Sequence, residues 1–222
     1  TDLEHAAITE SAKALVASGN AFVQISGGTR GVINPTDVAL AVDDQTALVS
    51  VAHAAGEMGT IQPISEIAET VKNKQPRCRL HTDAVQALPQ LGRLALCAEV
   101  DMLSISAHKI HGPQGIGALL VRPNAVPRPI LFGGDQQSGI RPGTFNLPGI
   151  VGFGVAARLF AERRDNEIPK MRILCNTLIK GILDTVEGTS TLGDPSARLP
   201  GIAVIAFDDI KSEVLLHALE MS

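Results

Sequence analysis

The sequence predicts an α/β domain built on a mainly parallel sheet, and three observations carry that prediction. Short apolar runs of strand length alternate with stretches of helical spacing, the order of repeated β-α units. The run from Thr46 to Ala52 has almost no polar residue, as a strand does when both faces of its sheet are covered. Polar side chains then collect where such runs end, and an open α/β fold binds its ligands in the crevice at the strand C-termini.

The elements follow in order. Ala21-Phe22-Val23-Gln24-Ile25 is a β-type run stopped by Gly27-Gly28. A helix is predicted over Pro35 to Val42, with Asn34 as N-cap and Pro35 in the first helical position. Thr46 to Ala52 is a strand. Pro63 to Lys74 places Ile64, Ile67, Ala68 and Val71 at helical spacing. Arg79 to Asp83 is a short strand, and Ala84 to Leu88 is helix-like. Asp101 to Ser106 and Gly117 to Val121 are two further strands around a Gly/Pro-rich turn. Pro148 to Arg164 reads as a long helix ending in the charged run Glu162-Arg163-Arg164-Asp165, and Ile168 to Leu183 as a second one. Ile202 to Phe207 is a strand and Ser212 to Ala218 opens a helix. A soft domain boundary falls near residue 160, where the Gly/Pro-dense part stops.

Composition narrows the function classes. The 222 residues are 45% hydrophobic, enough for a sizeable core. A formal charge of −4 with 19% charged residues argues against nucleic acid, whose phosphates call for a basic stripe. With no Trp, no Tyr and six Phe, stacking platforms for single strands are missing too. No apolar run has the roughly 18 residues of a membrane span, and Thr1-Asp2-Leu3-Glu4-His5 lacks the pattern of a signal peptide. Cys78, Cys97 and Cys175 are odd in number and far apart, which excludes a disulfide scaffold or a Cys-rich zinc site and fits a reducing compartment, cytoplasm or organelle matrix. The expectation is a soluble intracellular protein without a metal.

The chemistry concentrates in residues 81 to 117. Asp83 and Gln86 stand three apart at the start of a helical stretch, so they can face one ligand together. Ser106, His108 and Lys109 lie in a loop just after a strand. An acidic residue, a lysine in a polar loop and nearby phosphate donors are what a pyridoxal 5'-phosphate site needs. The lysine forms the Schiff base and the carboxylate keeps the pyridine nitrogen protonated. The released amine then serves as base at the substrate Cα. Taken singly, each residue has an ordinary explanation: Lys109 as a solvated side chain, Asp83 as an N-cap, His108 as a hydrogen-bonded loop histidine.

Order and spacing change that reading. His81-Thr82-Asp83-Ala84-Val85-Gln86-Ala87, followed by Ser104-Ile105-Ser106-Ala107-His108-Lys109-Ile110-His111-Gly112-Pro113-Gln114-Gly115-Ile116-Gly117-Ala118-Leu119, closely resembles the cysteine desulfurases. Selenocysteine lyases share the pattern, and both are class V aminotransferase-like enzymes of PLP fold-type I. Glu57 to Ile64, Arg141-Pro142-Gly143-Thr144-Phe145-Asn146 and Ile150-Val151-Gly152-Phe153-Gly154 continue the match. The resemblance implies a three-layer α/β/α cofactor-binding large domain over 1–160 and part of a small α+β C-terminal domain over 161–222. It implies a homodimer that removes sulfur from cysteine, or selenium from selenocysteine, leaves alanine, and can hand the sulfur to an acceptor protein. Residue by residue, it makes Lys109 the Schiff-base lysine and, with His108, the candidate catalytic pair. Asp83 would pair with the pyridine nitrogen and Gln86 would contact the ring hydroxyl. Ser106 and His108 would bind the phosphate, His5 would stack on the ring, and Thr144 would reach the phosphate of the neighbouring subunit.

The departures also count. Ala55-Gly56 stands where the family has two Asn, one of which contacts cofactor and substrate carboxylate. Gly133-Gly134-Asp135 and Gln136-Gln137 stand where the family has three Gly and Gln-Glu. Ser26-Gly27-Gly28-Thr29 imitates the family's phosphate loop, but that loop belongs upstream of the Glu-His pair, so a surface turn is expected here. The family's catalytic Cys and substrate-binding Arg belong beyond Ser222, and Cys78, Cys97 and Cys175 each read as structural residues. Two readings therefore stay open: the cofactor-holding part of a desulfurase, or a non-catalytic scaffold on the same fold.

Overall fold

The computed structural model describes residues 1–95 and 99–221. Cys97 lies outside the described residues. Among the described residues, six α-helices and six strands run in the order α1 (Ala6–Ala17), α2 (Pro35–Ala41), β1 (Leu48–Ala52), α3 (Ile64–Lys74), β2 (Arg79–Asp83), α4 (Leu88–Leu91), β3 (Met102–Ser106), β4 (Gly117–Val121), α5 (Leu147–Thr185), β5 (Thr189–Thr191), β6 (Ile205–Phe207) and α6 (Ser212–Glu220).

The main sheet has the order β1-β2-β3-β4. The first three strands are parallel, joined by crossovers through α3 and α4, and β4 returns antiparallel to β3. In register, Ser50 stands beside His81, Ala52 beside Asp83 and Asp83 beside Ser104. Successive side chains of a strand point to opposite faces, so this pairing sorts the sheet. Val51, Leu80 and Leu103 turn to a core with Ile64, Ile67 and Val71 of α3 and Val38 of α2. Ser50, His81, Asp83, Ser104 and Ser106 share the other face.

Local signals formed as their chemistry dictates. Asn34 Oδ1 accepts from the Thr36 N–H to cap α2, with Pro35 in the first turn. Beneath the sheet, the buried Asp101 carboxylate accepts from Lys72 Nζ at 2.6 Å and from the Leu80 N–H at 2.8 Å. Burial pushes the Asp101 carboxyl up, but the Lys72 and Leu80 bonds and the charges of Lys72 and Arg79 outweigh it and hold the group below its usual range.

Four expectations are corrected. Ala21 to Ile25 forms no strand; its main-chain tie to the opening residues is the bond from the Asp2 N–H to Ile25 O, and Phe22 and Val23 are exposed. Ala84 to Leu88 is mostly turn, and the helix runs instead from Leu88 to Leu91. The two long helices are one, the 39-residue α5, which carries Pro169 in its interior and crosses residue 160 unbroken. The last strand is shorter than read and pairs with β5, which the sequence did not announce. No helix among the described residues is long and apolar enough to cross a membrane.

Candidate functional site

The parallel order of β1, β2 and β3 sets their C-terminal ends side by side, about 4.8 Å apart from strand to strand. Short bonds tie these ends together. The His53 N–H donates to Asp83 O at 2.8 Å, and the Ala84 N–H donates to Ser104 O at 3.0 Å.

Each end carries candidate residues. At β1, Glu4 Oε1 accepts from the Ala52 N–H at 2.8 Å and fastens the entrance of α1 to the strand end. His5 is therefore held next to that end; its Nδ1 accepts from the Ala7 N–H at 3.1 Å and caps α1, and the residue is exposed. At β2, Asp83 Oδ1 accepts from the Val85 N–H at 2.9 Å, the bond of a local Asx-type turn, so this side chain orders the turn that carries Gln86. At β3, the chain passes directly into a 3-10 turn, Ala107–Ile110, which holds His108 and Lys109, both exposed. Ser106 Oγ and His108 Nδ1 lie 2.7 Å apart, so hydroxyl and imidazole form one polar unit. His111 closes the turn in the left-handed region, at φ 63°.

A cavity of about 300 Å³ opens beside these ends. Gln86 and Lys109 both line it, with Gln90, His111, Phe160 and Met171 among the other walls. Gln90 Oε1 accepts from the Gly201 N–H at 2.7 Å and joins α4 to the segment that leads to β6. Asp83, Gln86, Ser106, His108 and Lys109 thus stand at or just beyond the adjacent C-terminal ends of β2 and β3, with His5 next to that of β1; of these six, Gln86 and Lys109 line the cavity and the other four do not. Thr144 lies apart, exposed on the long connection before α5.

The sequence departures take physical form. Ala55 is 2% exposed, whereas a Cβ built on Gly56 would meet nothing within 4 Å. Position 56 has room for a side chain and position 55 does not. In the Ser26-Gly27-Gly28-Thr29 turn, the Asp2 carboxylate accepts from the Ser26 hydroxyl and, at 2.9 Å, from the Gly27 N–H. A carboxylate already sits where a phosphate would bind. Two residues escaped the sequence reading. Glu4 is 2% exposed in its side chain, and its Oε2 has no hydrogen-bond partner. His81 lies between Ser50 and Ser104 on the site's own sheet face. The period-2 register could have found the second.

The profile of the aminotransferase class-V family matches residues 1–222. The chain belongs to that family. Among curated relatives, the mitochondrial cysteine desulfurase of Saccharomyces cerevisiae is 38% identical over 221 residues, which is 99% of this chain and 44% of that protein. A cysteine desulfurase of Nostoc is 37% identical over 219 residues, 99% of this chain and 54% of that one. This class-V chain thus spans about half the length of the curated relatives it matches. Among solved structures, a NifS-like protein superposes with a TM-score of 0.89 at 34% identity, covering 100% of this chain and 60% of that one. The fold predicted from the sequence and the family resemblance are both borne out.

Proposed function

We propose that this chain is the cofactor-holding part of a pyridoxal-phosphate-dependent cysteine desulfurase. The observation that carries the reading is the convergence of Asp83, Gln86, Ser106, His108 and Lys109 on adjacent strand ends, with Gln86 and Lys109 lining one cavity. The donor set fits the group: a carboxylate for a ring nitrogen, an amide for a ring hydroxyl, a hydroxyl-imidazole pair for a phosphate and an amine for an aldehyde. Pyridoxal phosphate, when bound, supplies an electron sink for charge developing at the substrate Cα.

The chain's own residues do the rest. Asp83, oriented by the Val85 N–H, keeps a proton on the ring nitrogen. Gln86 orients the ring through its hydroxyl, and His5 covers one ring face. Ser106 occupies His108 Nδ1, so Nε2 is the ring nitrogen assigned to the phosphate. Lys109 Nζ would hold the aldehyde of the group and would serve as general base toward the substrate Cα proton. Thr144 serves the phosphate of a second subunit in a homodimer.

A cysteine thiolate would attack the substrate sulfur, so that an S–S bond forms as the Cβ–S bond breaks; the electron pair stays with the carbon skeleton, which is protonated to alanine, and the sulfur is left as a persulfide for an acceptor protein. Neither Cys78 nor Cys175 suits that part. Both are buried, burial pushes the Cys78 thiol up, and Cys175 Sγ is engaged by Arg198 at 3.1 Å. The attacking species is an accessible thiolate: burial disfavours it at Cys78, and the buried position of Cys175 keeps a substrate from reaching its sulfur.

Addition of pyridoxal phosphate tests the reading. With no Trp or Tyr in the chain, the visible and near-ultraviolet background is low. The expected result is a visible band that borohydride fixes as one pyridoxyl phosphate on Lys109, absent in Lys109→Ala. A chain that gains no such band and no such mass overturns the proposal.

A further inference from the structure

One buried group on the site's face has no part in the chemistry just described. His81 lies in the middle strand and is 9% exposed. Its Nδ1 is 2.8 Å from Ser50 Oγ on β1 and its Nε2 is 2.9 Å from Ser104 Oγ on β3. The chain Ser50–His81–Ser104 therefore crosses all three parallel strands through side chains alone. It lies on the face that also presents Asp83, two residues further along β2 and beside Ser104 in register. A neutral imidazole offers one donor and one acceptor, and a serine hydroxyl can play either role, so both bonds are satisfied in either tautomer. Two carboxylates face the ring electrostatically, Asp83 on its own strand and Glu4 at the entrance of α1; they push its pKa up, but burial is the larger effect and leaves it below the usual histidine value.

We propose that His81 is a positioning residue for Asp83: by tying Ser50 and Ser104 to β2 it fixes the strand end from which the cofactor carboxylate projects. The inference rests on the cofactor reading above. The backbone supports it independently, because the amides that lock this end, His53 to Asp83 O and Ala84 to Ser104 O, begin where the side-chain tie stops. Without the tie, the spacing of β1, β2 and β3 near Asp83 depends on those two bonds and the ladder. Small displacements of a group that must meet a ring nitrogen reduce affinity steeply.

Two measurements on the full chain test this. The first is amide hydrogen exchange without cofactor, comparing wild type, His81→Phe and the Ser50→Ala/Ser104→Ala double variant, in which the imidazole remains but its partners are gone. The expected result is about tenfold faster exchange at His53 and Ala84 in both variants, with no change at Gln75, whose N–H bonds Val71 O at the far end of α3. The second is the pyridoxal phosphate dissociation constant, expected to rise about tenfold in both variants and to recover in part in His81→Asn and His81→Gln, which each restore one bond. Unchanged exchange at His53 and Ala84 overturns the proposal, and so does faster exchange with wild-type cofactor affinity. A wild-type chain that binds no cofactor sinks the functional reading and the cofactor role of His81 with it, while the exchange arm still decides whether His81 holds the strand end.

Discussion

Single residues already separate structure from chemistry. Lys72 and Asp101 are the clearest structural pair: the carboxylate is 5% exposed in its side chain and accepts both the Lys72 ammonium and the Leu80 N–H. Removing the ammonium leaves a buried carboxylate short of its main partner. Lys72→Met should therefore lower stability by about 2 kcal/mol, less than the 3–5 of a fully buried pair because Lys72 is partly solvated. A urea midpoint unchanged from wild type would refute it. His81 gives a pH prediction. Its folded pKa lies below the unfolded value of 6.5, so the unfolded state binds more protons in that window. Stability should fall as pH drops through about 6.5 and below, and be fully present above it. His81→Phe should flatten that part of the curve, which urea unfolding at stepped pH reads directly. Of the candidate site, Asp83, Gln86, Ser106, His108 and Lys109 were legible because strand ends and motif spacing place them. Glu4 and His81 were not, since their meaning depends on which strands are neighbours.

At the level of elements, legibility followed burial. Strands β1, β2 and β3 and helix α3 each bury residues, so their apolar patterns survive in the sequence, whereas β4 is mostly exposed and was legible only as an apolar run after a Gly/Pro-rich turn. Helix α1 buries no residue, which leaves no stripe to read, and it went unannounced. The run Ala21 to Ile25 shows the opposite failure: β-type composition without a neighbouring strand to pair with is only extended chain. Pro169 explains the error in α5. A proline removes an amide donor and crowds the carbonyl four residues back, so the charged run before it read as a helix end. The helix continues through it, exposed at that position. Pro169→Ala should then stabilise the protein by about 1–3 kcal/mol, since the lost bond returns and no buried packing is given up. A lower melting temperature would show that Pro169 makes a contact this argument denies it.

For the whole molecule, the decisive feature is where apolar surface remains uncovered. Ile130 is 89% exposed and Phe132 88%, and Phe145, Leu147, Val151 and Val155 are also open along the same stretch of chain. That stretch carries Thr144, the residue assigned to a neighbouring subunit's phosphate. Scattered exposed apolar residues need no explanation, but two almost bare large side chains so close to the residue proposed to act across subunits would find a buried setting in the proposed homodimer. In the proposed homodimer each site would be incomplete alone, because the partner's Thr144 would supply a donor to the cofactor. Association and cofactor retention are then linked: anything that binds the dimer better than the monomer shifts the population towards the dimer. Phe132→Glu places a charge where an apolar contact is expected, so light scattering should show a lower dimer fraction, and pyridoxal phosphate should dissociate faster from the same sample. Thr144→Ala should weaken cofactor retention without changing the dimer fraction measured in the absence of cofactor. If Phe132→Glu leaves the molecular mass and the cofactor affinity as they are in wild type, the 126–155 stretch is not the dimer surface, and the assignment of Thr144 to a second subunit fails with it.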